Sequence, residues 1–308
     1  MKIVSVEPIG ISEEKAEALK AEFAKYGHDF YCYRDRKEDE STLAERMNEA
    51  EIVIVSNIKV SAAVLSQCPH LKMLDVAFTG LDHIDLEYCK AHSIKVVNAA
   101  GYATEGVAEL AVGLMIDLYR RITVLDASLR SGGTRNNFLG RELRGKQVGI
   151  VGTGAIGLRT AELLLHFGCR VVAWSRTEKA DAKALGITYV TLEELMQNSD
   201  IISLHVPLTS ETHHLIGQDL LRLCKPSAIL VNTARGNVVD MDALAAALNA
   251  GRLAGAGIDV FEKEPPLPAE HPLLKAPNCI VVPHVGYATR EAFDERIDIV
   301  VQNILREA

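Results

Sequence analysis

No two cysteines of this chain form a C-x-x-C pair; the six, Cys32, Cys68, Cys89, Cys169, Cys224 and Cys279, are scattered. That spacing offers neither a zinc site nor a disulfide framework, so no metal is expected. An excess of positive charge is missing too. The 33 Lys and Arg residues face 41 Asp and Glu, a formal charge of −8, whereas a nucleic-acid partner calls for clustered cations. Even the densest charged stretch, Arg34 to Glu40, mixes both signs and reads as a solvated loop. No run approaches the ~18 apolar residues of a membrane helix. The start, "MKIVSVEPIG", is interrupted by Glu7 and Pro8 and has no signal-peptide core. Repeats and low-complexity tracts are also lacking. These absences lead to an expectation of a cytoplasmic protein in a reducing setting, with no membrane or nucleic-acid partner.

What is there is an ordinary globular composition, 48% hydrophobic and 24% charged. The 308 residues have room for about two domains. Ten strand-like runs recur: "KIVSV", "EIVIV", "LKMLDVA", "KVVNA", "QVGIVG", "RVVAW", "DIISLHV", "AILVNT", "AGAGIDV" and "CIVVP". Segments of helical periodicity lie between them, such as 13–26, 103–121, 155–167 and 241–250. Alternating strands and helices predict parallel sheets with covering helices, and both halves of the chain show the pattern. A boundary falls near Asn98–Gly101, where a strand gives way to a long helix that Thr104 or a nearby small residue can cap. The polar stretch 128–145, "SLRSGGTRNNFLGRELRG", reads as an extended arm.

The run "VGIVGTGAIG" places Gly152, Gly154 and Gly157 between a strand and a helix. A dinucleotide fold requires that order. The first glycine allows the tight turn, the second lets a pyrophosphate approach the backbone, and the third lets helix pack on strand. Free N–H groups at the helix start would then face the anion. A second strand follows but ends "WSRT", with no carboxylate to repel a ribose 2′-phosphate. Ser175 can donate a hydrogen bond and Arg176 can supply charge, which favours NADP over NAD. Arg176 pointing to solvent or stacking on adenine, with loose selectivity, stays open.

Further on, polar residues stand at strand ends, where ligands bind in open α/β sheets. Arg235 follows "ILVNTA", Asp259 ends "AGAGID", Glu264 lies in "FEKEPP", and His284 follows "CIVVP". With the glycine fingerprint, the segments "NTARGNVVD" (232–240), "GIDVFEKEPP" (257–266) and "PHVGYAT" (283–289) come in order and correctly spaced. On these segments the chain resembles the D-isomer-specific 2-hydroxyacid dehydrogenase family over nearly its whole length.

The resemblance implies an α/β protein of two Rossmann-like or flavodoxin-like doubly wound domains, with the active site in the interdomain cleft. Residues 1–100 plus 285–308 would bind substrate, and 101–284 would bind NAD(P). Hinges would lie near Ala99–Gly101 and Pro283–Gly286. Arg235 would bind the substrate carboxylate and carbonyl, His284 would be the acid/base, and Glu264 its partner. A guanidinium suits developing oxyanion charge, and a carboxylate beside a histidine favours the charged ring and fixes its tautomer. The cofactor would lie along Thr104, Gly152, Gly154, Ala155, Ile156, Gly157, Ser175, Arg176, Val206, Pro207, Thr233, Ala234, Asp259 and Gly286. Backbone N–H groups of Phe78, Thr79 and Gly80 would receive the substrate carboxylate. Phe78, where glycine is frequent, implies a narrower, more apolar pocket, and Tyr287 would also shape it. His205 is expected on the cofactor side or in the core, and His213 and His214 on the surface.

Val55 and Val76 stand where phosphoglycerate-oxidising relatives tend to carry arginine, so an unphosphorylated 2-keto or 2-hydroxy acid is favoured, since a buried dianion without partners is costly. Phosphoglycerate oxidation is the alternative substrate assignment, while Glu264, in place of a glutamine, argues against formate oxidation. The long helix 103–121 and the arm 122–145 resemble the family's dimer contact, implying a homodimer, although the arm could instead wrap its own domain. From another class, a nucleotide sensor or co-repressor that keeps Arg235, Glu264 and His284 also stays open.

Overall fold

The computed structural model describes residues 1–263 and 266–307, and the backbone divides into two units. Unit 1 comprises Met1–Ala103 with Ala288–Ala308, and unit 2 comprises Thr104–Tyr287.

Unit 1 carries β1 (Lys2–Ser5), β2 (Asp29–Cys32), β3 (Ile52–Val55), β4 (Met73–Val76) and β5 (Lys95–Asn98). They form a parallel sheet in the order β2-β1-β3-β4-β5. β3 and β4 are buried along their whole length, and the near-continuous apolar runs "IVIV" and "MLDV" are what parallel strands covered on both faces require. β2 was not foreseen. Its sequence, "DFYC", alternates exposed and buried residues at the sheet's edge, where one ladder partner suffices and a long apolar run is unnecessary. The intervening helices start where side-chain oxygens take up orphan N–H groups. Ser12, Asp39, Ser61 and Asp85 accept from Lys15, Thr42, Val64 and Tyr88 respectively.

Unit 2 carries β6 (Gln147–Val151), β7 (Arg170–Trp174), β8 (Thr188–Tyr189), β9 (Ile201–Leu204), β10 (Ile229–Asn232), β11 (Gly255–Ile258) and β12 (Cys279–Val281). The order β12-β11-β10-β9-β6-β7-β8 is parallel throughout, and the direction in which successive strands are added to the sheet reverses between β6 and β9. A ligand crevice is expected at such a switch point. Apolar clusters cover the sheet, one containing Leu195, Leu204, Leu230 and Leu244, the other Met115, Ile150, Leu164 and Val231. β8, only two residues long and also at an edge, was not foreseen either.

The long helix spans Thr104–Arg120, so Thr104 is its first residue and Ala103 stands at the cap position. One expectation needs correction. The extended arm does not begin before Ser131, because Ile122–Arg130 is a helix, which takes in the first residues of the stretch 128–145. None of its residues is buried, so burial left no core-like periodicity to read. From Gly140 the chain returns to its own unit: the Arg141 N–H donates to the Tyr119 carbonyl (3.1 Å), and its guanidinium to the Ser227 carbonyl (2.8 Å).

The C-terminal helix Arg290–Glu307 packs on β4. Its Asn303 Nδ2 donates to Asp75 Oδ1 and to the Asn98 carbonyl, both at 3.2 Å. Asp75 Oδ2 is buried with no partner. Burial pushes the Asp75 carboxyl up to about 7, against a small opposing effect of Asn303. Because the folded value is raised, the contribution to stability is present below the unfolded value of about 3.9 and lost as pH rises through about 7. We therefore expect Asp75→Asn, which cannot ionise, to raise the unfolding temperature more at pH 8 than at pH 5. Equal shifts at the two pH values would show that Asp75 does not titrate in this way.

Candidate functional site

The turn after β6 is built by sterics. Gly152 has φ +99°, and a Cβ there would lie 2.7 Å from the His205 carbonyl oxygen. A Cβ on Gly157 would stand 2.0 Å from the Gly152 oxygen, so the helix Ala155–His166 can approach the strand this closely only with glycine. Gly154, by contrast, is the helix's N-cap and faces open space, with nothing within 4 Å of a Cβ position. Two residues thus shape the turn, and the third leaves a cradle above the N–H groups of Ala155 and Ile156. This arrangement accepts an anion.

The neighbouring loops bear on the same turn. His205, after β9, is held at Nε2 by the Ser203 hydroxyl (2.9 Å), and burial pushes its imidazole down to about 3, so it stays neutral. Val206 is buried and Pro207 exposed; His213 and His214 are exposed. After β7, Ser175 is half-buried, while the Arg176 side chain is 83% exposed and lies 3.3 Å from Glu211. An exposed pair of this kind is worth little. After β10, Thr233 Oγ1 is buried with no hydrogen-bond partner among the described residues. An orphaned hydroxyl after β10 and an open cradle after β6, at the same edge of the sheet with β9 between them, fit a dinucleotide whose polar atoms would complete them.

Arg235 and His284 occupy the ends of β10 and β12, and the strand between supplies the link. Asn232 Oδ1 accepts from the Ala234 N–H (3.0 Å), and its Nδ2 donates to the Arg235 carbonyl (2.9 Å), which closes the Arg235 loop. Gly236 is required there, because a Cβ would fall 1.9 Å from the Phe261 carbonyl carbon. The Asp259 N–H donates to the Asn232 carbonyl (3.0 Å), and the Asp259 carbonyl accepts from the His284 N–H (2.8 Å). Its side chain, 1% exposed, accepts from Val285 (2.6 Å) and Gly286 (2.9 Å). His284 itself is left-handed, φ +53°, and its ring meets Tyr287 edge-on, with centroids 5.3 Å apart. Sequence reasoning placed Asp259 against the cofactor and missed this structural use. Glu264 lies outside the described residues.

In unit 1, the loop after β4 holds Phe78, Thr79 and Gly80. The Phe78 N–H donates to the Val76 carbonyl (2.7 Å), and the Phe78 ring is buried against His83 and Tyr102. The Thr79 carbonyl accepts from Asn98 Nδ2 (2.7 Å). Among the described residues, no group of three or more His, Cys, Asp or Glu could hold a metal ion, and no helix is long and apolar enough to cross a membrane.

Comparison with known proteins follows the same lines. Residues 112–286 match the family model described as D-isomer specific 2-hydroxyacid dehydrogenase, NAD binding domain. A glyoxylate reductase of Thermococcus litoralis is 42% identical over 273 residues, covering 85% of this chain and 82% of that protein. Among solved structures, an acyclic imino acid reductase in complex with NADPH and D-Arg is 29% identical, with a TM-score of 0.91 and coverage of 100% and 97%. The D-lactate dehydrogenase of Aquifex aeolicus, complexed with NAD and lactic acid, is 30% identical, with a TM-score of 0.87 and coverage of 100% and 95%.

The left-handed backbone at His284 yields a test independent of activity. Asn tolerates this conformation, whereas a β-branched residue strains it. His284→Asn should keep the apo-protein's stability within about 0.5 kcal/mol, and His284→Val should lower it by about 1 kcal/mol or more in denaturant titrations.

Proposed function

Because the chain belongs to the D-isomer-specific 2-hydroxyacid dehydrogenase family, we propose that it reduces a small unphosphorylated 2-keto acid such as glyoxylate through Arg235 and His284. The protein is an oxidoreductase that transfers a hydride between a nicotinamide cofactor and a small 2-keto or 2-hydroxy acid. The observation that carries the assignment of residues is the hydrogen-bonded chain Asn232–Asp259–His284, which ties the Arg235 and His284 loops to the strand end between them.

When bound, the nicotinamide supplies or accepts the hydride. The main-chain N–H groups of Ala155 and Ile156 would face the pyrophosphate of the dinucleotide, and Thr233 and Val206 would line its path. Arg235 holds the substrate carboxylate and stabilises the negative charge that grows on the carbonyl oxygen. His284, protonated, gives its ring proton to that oxygen, and neutral His284 takes it back in the oxidative direction. Glu264 is proposed as the partner that favours the charged ring. In unit 1, the N–H groups of Thr79 and Gly80 serve a carboxylate, because that of Phe78 is already engaged by Val76. Val55 and Val76 offer a substrate phosphate no cation, which supports the unphosphorylated class. Ser175 and Arg176, with no carboxylate at the end of β7, support NADPH as the preferred reductant.

Steady-state reduction of glyoxylate, hydroxypyruvate and pyruvate, followed at 340 nm with NADPH and NADH, tests this reading. Turnover is expected with at least one of these acids and better with NADPH. Arg235→Ala should lower kcat/KM by about 10²–10³-fold, the size found when one oxyanion donor is lost. His284→Gln should flatten the pH profile of kcat/KM. Tight cofactor binding without turnover on any keto acid would instead indicate a nucleotide sensor.

The helix Ile122–Arg130 and its sequel carry exposed Ile122, Val124, Leu129 and Leu139, the last at 82%. Exposed apolar side chains on and after a helix that buries nothing of its own support a second copy of the chain as its cover. Sedimentation should give a dimer, and the double variant Leu129→Asp/Leu139→Asp a monomer. A wild-type chain that sediments as a monomer at micromolar concentration would rule the dimer out.

A further inference from the structure

One side chain joins the glycine turn to the loop after β7. The last ladder bond between β6 and β7 runs from the Gly152 N–H to the Trp174 carbonyl (2.7 Å). Beyond it the chains part, Thr153 and Gly154 into the turn and Ser175 to Lys179 into the loop. Tyr189, in the two-residue edge strand β8, spans the gap. Its hydroxyl lies 2.8 Å from Thr153 Oγ1 and accepts the main-chain N–H of Lys179 at 2.9 Å. Thr153 is 1% exposed, so its hydroxyl has little access to water and its link to Tyr189 is correspondingly firm. The register Ala173↔Tyr189 sets the ring beside β7, and the ring packs on the apolar cluster of that face.

We infer that Tyr189 is a positioning residue for cofactor choice: its hydroxyl fixes the spacing between the pyrophosphate-binding turn and the loop that meets the adenosine ribose. This rests on the reading of Ser175 and Arg176 as ribose-side contacts. Among the described residues, the 83% exposed Arg176 has a surface pairing with Glu211 to hold it and no other, so its loop needs an anchor if it is to offer charge at a fixed place. A guanidinium on an unanchored loop must be ordered by the ligand, and that ordering subtracts from affinity. A 2′-phosphate draws on this loop far more than a plain 2′-hydroxyl does. Loss of the anchor should therefore weaken binding of the phosphorylated cofactor selectively.

Tyr189→Phe keeps the ring and removes only the oxygen. Dissociation constants for NADPH, NADH, 2′-phospho-ADP-ribose and ADP-ribose are read by calorimetry or tryptophan fluorescence, with circular dichroism confirming the fold. The expected result is an NADPH-to-NADH affinity ratio lower by about three- to tenfold, the effect of one neutral hydrogen bond. The same change should appear in the two nicotinamide-free ligands. Thr153→Val should lower the ratio likewise, and the double variant should add less than the sum of the two, as residues sharing one interaction do. A ratio unchanged in Tyr189→Phe, including the case where all four ligands weaken equally, overturns the inference. Arg176→Ala separates the two ideas: an unchanged ratio there refutes the ribose-side reading of Arg176, whereas Tyr189 is judged on its own variants.

Discussion

Both oxygens of one buried carboxylate, Asp259, are taken by consecutive main-chain N–H groups, those of Val285 and Gly286. The rest of the candidate site in unit 2 depends on this contact. It holds the left-handed turn at His284, and the backbone of the same aspartate bonds back to Asn232, which closes the Arg235 loop. A Cβ on Gly286 would come within 2.9 Å of the carboxylate, so the glycine is part of the same contact. A guanidinium and an imidazole are long, flexible groups on separate loops. Their backbones are fixed because the strand between them ends in Asp259, whose main chain bonds to both sides and whose short carboxylate holds the turn after His284.

Unit 1 uses a buried carboxylate in a related way and another quite differently. Glu7, after β1, is 2% exposed; it accepts the Ser56 N–H (2.8 Å) and pairs with Arg36, tying the loop after β3 to that after β1. Burial raises its pKa while Arg36 and the backbone N–H groups oppose the rise. Asp75 has, among the described residues, a single amide donor and no cation, so only the Asn303 hydrogen bond opposes desolvation. Burial raises the pKa of both acids; Glu7 meets it with a cation and backbone N–H groups and ties two loops together, whereas Asp75 has only an amide.

The glycine turn illustrates how one motif can be legible in detail. The roles expected of Gly152, Gly154 and Gly157 reappear as a positive φ, an open cradle and a 2.0 Å clash. The flanking strand and helix were equally readable, since fully buried parallel strands must be apolar along their length. The edge strands β2 and β8 were not, because an edge needs neither a long run nor full burial. The helix Ile122–Arg130 escaped for a related reason: with no buried residue, it has no core-facing stripe to reveal it.

The sequence by itself determined the fold class, ten of the twelve described strands, the strand–glycine turn–helix motif and the family, because each rests on local patterns of apolar spacing and on glycines that sterics demand. It also marked Arg235, Asp259 and His284 as strand-end residues. Only the tertiary structure decided that Asp259 spends its carboxylate on the His284 turn, that the Phe78 N–H is already engaged, and that Tyr189 bridges Thr153 and Lys179. Those choices depend on which strands lie side by side. Adjacency such as β10-β11-β12 is settled by the packing of whole sheets, which no local stretch of residues encodes.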